Sequence, residues 1–271
     1  SAEKSGGKAF NLAHLNKANI PVPKWIVLSS ELFLDFLGNN RDKYISLLEN
    51  YTDESRKAIL SLIENCSFSE ETRNKIMKEI KSFFSENDLV AIRSSATDED
   101  SDGHSFAGML ESYLSIPISE DIFDYIKKCY FSCFSERIMK YRENNGLINH
   151  NISVAVIIQQ MISPDFSGVI FTSNPRTNNP DECLISIVFG TGDKLVSGDV
   201  DSSDYVLNIN GEITEKNVAD NINMNDNLLH RIHKLGLDVE NSYNPRLAKD
   251  IEFCVKDDDI FILQCRTITT Y

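Results

Sequence analysis

The hydrophobic pattern of this chain changes period once, near Asn151, and that change limits the possible folds more than any single motif does. Before it, apolar residues recur mostly at helical spacing. After it, "ISVAVIIQQMI", "FSGVIFTSN", "LISIVFG" and "DYVLNING" are β-type runs with turn signals between them. In the first half, "GGKAFNLAHLNKANIPVP" reads as an amphipathic helix through Phe10, Leu12, Ala13, Leu15 and Ala18, stopped by Pro21 and Pro23. "KWIVLS" reads as a strand, and Ser30 to about Ser85 as several helical pieces. Ser67 and Glu70 form a candidate capping box ahead of "ETRNKIMKEIKSFF". "LVAIRSS" is a short buried strand, and Ser119 to Glu143 reads as one long helix capped by Ser119. One more helix, around Asp226 to Leu237, precedes a closing hairpin. The pattern predicts an α+β chain in two parts: a helix-rich 1–150 and a sheet-rich 151–271, joined in the polar, helix-breaking "NNGLINHN".

Charge and cysteine usage narrow the function classes. A net charge of −14 over 271 residues disfavours sequence-blind nucleic-acid binding and docking to anionic membranes. No apolar run approaches a membrane span, and the first residues lack the pattern of a signal peptide. The six cysteines form no CxxC pair and read as buried, reduced thiols of a cytoplasmic protein.

Polar residues stand out where strands would ordinarily be apolar. In "DIEFCVKDDDIFILQCR", period two puts Asp250 and Glu252 on one face of a strand and Gln264 and Arg266 on one face of the next. A three-residue loop, Asp257 to Asp259, would pair Lys256 with Ile260, Glu252 with Gln264, and Asp250 with Arg266. All four polar side chains would then share a face, opposite Ile251, Phe253, Val255, Phe261, Leu263 and Cys265. A two- or four-residue loop would split the set, because a slip of one residue flips every side chain. Such a face is either a solvated surface with a cross-strand ion pair or a hard-cation site of carboxylate and amide oxygens.

Other segments offer anion contacts. Lys8 follows Gly6 and Gly7 at a helix entry, where backbone N–H groups and a cation can meet an anion, although such an entry is also an ordinary turn. Arg93 ends a buried strand, a costly position for a charge that neither is paired nor faces a site. After it, "SSATDEDSDGHSFAG" supplies hydroxyls at Ser94, Ser95, Thr97 and Ser105 and glycines at Gly103 and Gly108. Asp98, Glu99, Asp100 and Asp102 would repel phosphates unless they point outward or brace Arg93 and Lys8. Gln159, Gln160, Met161 and Ile162 end an apolar strand and could wall a flat base or simply meet solvent. "FGTGDKLVSGDV" is either a ligand-contacting glycine loop, with Asp193 and Lys194 as candidates, or a hairpin connection.

Taken in order, "GGKAFNLAHLNKANIPVPKWIVLS", "IRSSATDEDSDGHSFAGMLESYL", "QQMISPDFSGVIFTSNP", "FGTGDKLVSGDVDSSDYVLN" and "DIEFCVKDDDIFILQCRTI" resemble the nucleotide-binding domain of the dikinase family. That family includes phosphoenolpyruvate synthase, pyruvate phosphate dikinase and rifampin phosphotransferase, and the resemblance spans essentially the whole chain. It implies an ATP-grasp fold whose two lobes hold the nucleotide cleft between them. It implies Lys8, Arg93 and Arg266 as catalytic phosphate-binding cations and Gly108 as part of the phosphate loop, with Thr97 a further nucleotide contact. Gln159 to Ile162 would be the adenine hinge, and Glu252 and Gln264 the magnesium ligands, with Asp250 beside them. It also selects the three-residue loop.

Two departures from the family pattern touch the loop after Phe189. Gly190, Thr191, Gly192 and Asp193 stand for glycine-leucine-glycine-glutamate, which makes Asp193 a doubtful contact, and the usual proline near Ser202 and Ser203 is missing. None of the histidines sits in the family's phosphohistidine motif. The resemblance therefore implies a phosphohistidine swivel domain in a missing part of the chain or in a separate polypeptide, and an unknown small-molecule acceptor beyond it. Rival readings are the ATP-dependent component of a ligase that activates a substrate for condensation, and a non-catalytic ATP-binding sensor or assembly subunit.

Overall fold

The computed structural model describes residues 2–98, 109–148, 152–192, 201–219 and 224–268. Its strands form two antiparallel sheets. In the four-stranded sheet, β1 (Trp25–Leu28), β2 (Leu89–Ala96), β3 (Ser112–Pro117) and β4 (Val154–Gln160) lie in the order β1-β4-β2-β3. The six-stranded sheet holds β5 (Phe166–Phe171), β6 (Glu182–Phe189), β7 (Ser203–Asn208), β8 (Ile213–Asn217), β9 (Lys249–Lys256) and β10 (Asp259–Thr267), in the order β10-β9-β5-β6-β7-β8. The helices are α1 (Ala2–Lys17), α2 (Ser30–Leu37), α3 (Arg41–Glu49), α4 (Asp53–Asn65), α5 (Glu70–Phe83), α6 (Ile122–Ser132), α7 (Glu136–Asn144) and α8 (Asp226–Asn241). The α+β class expected from the change of period is the class observed.

The chain divides into two units that differ from a cut at 150/151. Unit one is 1–10 with 24–161, and unit two is 11–23 with 162–271. Strand β4 belongs to the first unit because it is one of that sheet's two interior strands, paired with β1 through Val27↔Ile157 and with β2 through Arg93↔Ile157. Residues 11–23 belong to the second for a similar reason. There His14 stacks on Tyr243 at 4.0 Å, Tyr243 donates its hydroxyl hydrogen to Asn11 Oδ1 (3.1 Å), and the Pro21 carbonyl accepts from the Ile262 N–H (2.8 Å).

In unit one, α2 buries Phe33, Phe36 and Leu37 at i, i+3 and i+4, the stripe that helical periodicity dictates. Phe33 meets Tyr44 edge-on at 5.5 Å and Tyr130 at 4.9 Å, so aromatic packing ties α2, α3 and α6 together. Helix α4 starts on the Thr52 side chain, which accepts from the Ser55 N–H, and α5 starts on Ser69, which accepts from the Thr72 N–H. Ser69 takes the capping role expected of Ser67.

The expected single helix from Ser119 to Glu143 is two helices, broken at Cys133 to Ser135. Phe134 at the break is fully buried in the aromatic cluster, and tertiary packing overrides a continuous helical period there. Edge strands β3 and β8 were not expected from sequence. Each shows mostly exposed positions, so neither carries the apolar alternation that marks an interior strand.

In unit two, α8 buries Leu228, Leu229, Ile232, Val239 and Gly236. Gly236 lets α8 approach the sheet, since a Cβ there would sit 3.0 Å from Ile170 Cγ2.

The closing hairpin keeps its expected pairs by an unexpected route. The turn is two residues, Asp257 and Asp258, both at positive φ (49° and 68°), as in a type I′ turn, and Asp259 pairs with Lys256. That register alone would send Gln264 and Arg266 to the core face. An irregularity between Ile262 and Gln264 absorbs one residue, Leu263, and from there Glu252 pairs with Gln264 and Asp250 with Arg266. The extra residue sits in a bulge instead of the turn. In consequence Ile260 and Ile262 are buried near the tip, while Phe261 and Leu263, expected on the core face, are half-buried.

Candidate functional site

The expected site residues fall in both units. In unit one they gather around β2. Gly6 interrupts α1 with φ 73°, and a Cβ there would lie 2.2 Å from Ser95 Oγ and 2.4 Å from the Ser95 carbonyl oxygen. Glycine is needed because the helix start presses directly on β2. The Ser95 hydroxyl donates to the Ser5 carbonyl (2.9 Å) and accepts from the Ala9 N–H (3.4 Å), which secures the turn that carries Lys8. Lys8 itself is buried.

Arg93 and the start of the expected hinge meet. Arg93 lies opposite Ile157 on β4, and Gln159 is its diagonal neighbour on the same face. Arg93 Nη1 donates to Gln159 Oε1 at 3.4 Å, and Gln159 is 2% exposed. The N–H of Gln160 donates to the Lys24 carbonyl and that of Met161 to the Leu89 carbonyl, both at 2.8 Å. Those two hinge donors therefore hold the sheet.

The hydroxyls after Arg93 are similarly occupied. Ser94 donates to the Glu111 carbonyl (3.2 Å), and Thr97 donates to the Ser153 carbonyl (3.1 Å) while accepting from the Ser153 N–H (3.3 Å). Asp98 binds Arg142 in two hydrogen bonds, Nε to Oδ2 at 2.6 Å and Nη2 to Oδ1 at 2.9 Å. The expectation for Asp98 was an outward side chain or a brace on Arg93 or Lys8; its bidentate partner on α7 was missed. Arg142 is fully buried, and nothing local in the sequence reports its burial. Gly103, Ser105 and Gly108, with Glu99, Asp100 and Asp102, lie outside the described residues.

In unit two the hairpin brings four expected residues together. Glu252 and Gln264 are directly opposed and half-buried. Arg266 Nε donates to Asp250 Oδ2 at 2.7 Å, and its Nη2 binds the same oxygen. Burial pushes the Asp250 carboxyl above its ordinary range; the Arg266 charge and hydrogen bond oppose that, and nearby Glu252 adds to it. Ile162 belongs to this unit and is half-buried. Asp193 and Lys194 lie outside the described residues.

The pairings extend this face across the sheet, in the row Gln264, Glu252, Val169, Ser186, Asp204. Asp204 was missed, although an aspartate at the start of a β-type run was the available signal. Burial pushes its carboxyl up, and bonds from Arg176, Ser186 and Ser202 outweigh that and hold it below its usual range. Among the described residues no group of three His, Cys, Asp or Glu side chains could hold a metal by itself. One carboxylate opposite one amide oxygen is instead a donor set of the hard, sparse kind that suits magnesium, which keeps coordination positions for water and substrate phosphates. Among the described residues no helix is long and apolar enough to cross a membrane.

Comparison with known proteins places the chain in a family. A family model described as "Pyruvate phosphate dikinase, AMP/ATP-binding domain" matches residues 2–224, and the chain belongs to that family. A probable phosphoenolpyruvate synthase of Methanocaldococcus jannaschii is 30% identical over 98% of this chain and 25% of its own length. A rifampicin phosphotransferase of Bacillus cereus is likewise 30% identical, over 98% of this chain and 34% of its own. The chain thus spans between a quarter and about a third of these relatives. Of solved structures, an ATP complex of carboxyaminoimidazole ribonucleotide synthase from Aspergillus clavatus aligns over 97% of this chain and 44% of its own, at 11% identity and TM-score 0.46, too loose a likeness to carry an argument.

Proposed function

We propose that the chain is the ATP-binding catalytic domain of a dikinase-type phosphotransferase, built as an ATP-grasp fold and working with magnesium in the cytoplasm. Family membership supports the nucleotide. The observation that carries the site is the hairpin face on which Glu252 opposes Gln264 and Asp250 holds Arg266. A carboxylate, an amide oxygen and an oriented guanidinium on one sheet face form a metal-and-phosphate grip that a solvated hairpin would have no reason to half-bury. The six cysteines are free and buried, as a reducing compartment allows.

In this reading Lys8, Arg93 and Arg266 bind phosphate oxygens and stabilise the charge that builds on the transferred group. Gln159 to Ile162 flank the adenine, and Thr97 and Gly108 belong to the strand end and segment next to the phosphates. Thr97 acts there by fixing the Ser153 backbone, since its hydroxyl donates to the Ser153 carbonyl and accepts from the Ser153 N–H. Glu252 and Gln264 would hold magnesium, with Asp250 orienting Arg266; bound there, the metal offsets negative charge on the phosphates. ATP would be cleaved to AMP and inorganic phosphate, and the β-phosphoryl group would pass to a histidine on another domain or polypeptide and then to a small-molecule acceptor.

Calorimetric titration tests the site. The 271-residue chain should bind MgATP, and Glu252→Lys should weaken that affinity by at least about tenfold while leaving the fold intact, since about 1.4 kcal/mol per tenfold is within reach of one charge reversal. Equal affinity in the two proteins would remove the hairpin from the site. Mixed with a histidine-bearing domain of a longer relative, the chain should release AMP; release of ADP would contradict the dikinase assignment.

A further inference from the structure

Unit one holds a buried ion pair that none of the roles above uses. Arg142 is 0% exposed. Besides its two bonds to Asp98, its Nη1 donates to the Cys133 carbonyl at 2.6 Å, at the C-terminal end of α6. The break between α6 and α7 is what lets Arg142 reach back to that carbonyl. Close by, the Tyr44 hydroxyl donates to the Ile152 carbonyl (2.5 Å), and Thr97 and Ser153 exchange hydrogen bonds. One polar knot in an apolar interior therefore fixes the chain at 97–98 and again at 152–153.

Desolvation makes a buried pair of this kind a poor source of net stability compared with apolar residues of similar volume. A bidentate guanidinium–carboxylate contact does fix geometry closely. Asp98 lies two residues past the end of β2, the strand that carries Arg93 and packs Ser95 against Gly6, two residues before Lys8. We propose that Arg142 and Asp98 are positioning residues for nucleotide phosphates: their pair fixes the exit of the chain from β2, and so the register in which the phosphate-binding cations of this unit are presented. The inference rests on the nucleotide-site reading above.

A swap of the pair for apolar residues separates positioning from stability. In Asp98→Leu/Arg142→Met the pair is replaced without leaving an unpaired charge, so the thermal midpoint should stay near that of the parent chain. MgATP affinity should fall tenfold or more, while AMP, which keeps the base and ribose but lacks the outer phosphates, should bind within about twofold of the parent. Arg142→Lys, which keeps the charge and loses the bidentate fork, should show the same selective loss in smaller measure and serves if the double variant does not fold. Unchanged MgATP affinity in either folded variant would overturn the proposal, as would equal losses for MgATP and AMP. If the parent chain binds neither nucleotide, the site reading itself fails, and the inference with it.

Discussion

At the residue scale, two positions carry consequences out of proportion to their size. Gly6 combines a positive φ with a contact that leaves no room for a methyl group, and the atoms it would meet include β2 backbone. Gly6→Ala should cost roughly 2 to 4 kcal/mol, seen as a lower denaturant midpoint at unchanged slope. His233 is the other. It is buried against the turn at Gly211, and its Nε2 has no hydrogen-bond partner among the described residues. Burial lowers its pKa below the ordinary histidine value of 6.5, and the charge of His230 lowers it further. The unfolded chain therefore takes up the proton first, and stability present above the unfolded value is lost as pH falls through about 6.5 toward the folded pKa. Thermal midpoints between pH 7 and 5 should fall less steeply in His233→Leu than in the parent, and parallel slopes would assign the acid sensitivity to other groups.

At the element scale, the closing hairpin is the most informative piece. Its type I′ turn places two aspartates at positive φ, a conformation that asparagine and glycine adopt with less strain. The Asp257 carboxylate makes only an exposed, 3.8 Å ion pair with Lys256, and the hydrogen bonds at the turn run from the Asp257 N–H to Asp165 Oδ2 and from Arg231 to the Asp258 carbonyl. Replacing Asp257-Asp258 with Asn-Gly should stabilise the chain by on the order of 1 kcal/mol without altering nucleotide affinity, as a thermal melt and a titration together would show. The bulge at Leu263 marks the opposite case, an element that departs from regularity to serve a face. Without it a two-residue turn would leave Glu252 opposite leucine and turn Arg266 away from Asp250.

At the scale of the whole molecule, a nucleotide that binds the folded chain and not the unfolded one should report as a global stabilisation. MgATP at about a hundredfold excess over its dissociation constant should add roughly 2.7 kcal/mol to the folded state. The resulting rise in thermal midpoint should vanish when EDTA removes the metal, and a rise that survives EDTA would mean that Glu252 and Gln264 hold no ion needed for binding. The chain spans only part of its longer relatives, so this measurement on the chain alone isolates binding from the phosphoryl transfer proposed for a larger assembly.

Much of this was readable in the chain itself, because it depends on local physics. Periodicity separated the helical half from the strand-rich half, and alternation along "DIEFCVKDDDIFILQCR" put Asp250 and Glu252 on one face of a strand and Gln264 and Arg266 on one face of the next; their pairing across the hairpin was expected only with a three-residue loop, where the fold uses a two-residue turn and a bulge. Tertiary structure alone decided the rest. It placed the surplus hairpin residue at Leu263, broke the α6–α7 run at Phe134, drew β4 into the sheet of the first unit, and buried Arg142 against Asp98 across 44 residues of chain. Each of these outcomes is set by burial and hydrogen bonding summed over partners distant in sequence, and a window of neighbouring residues holds no record of that sum.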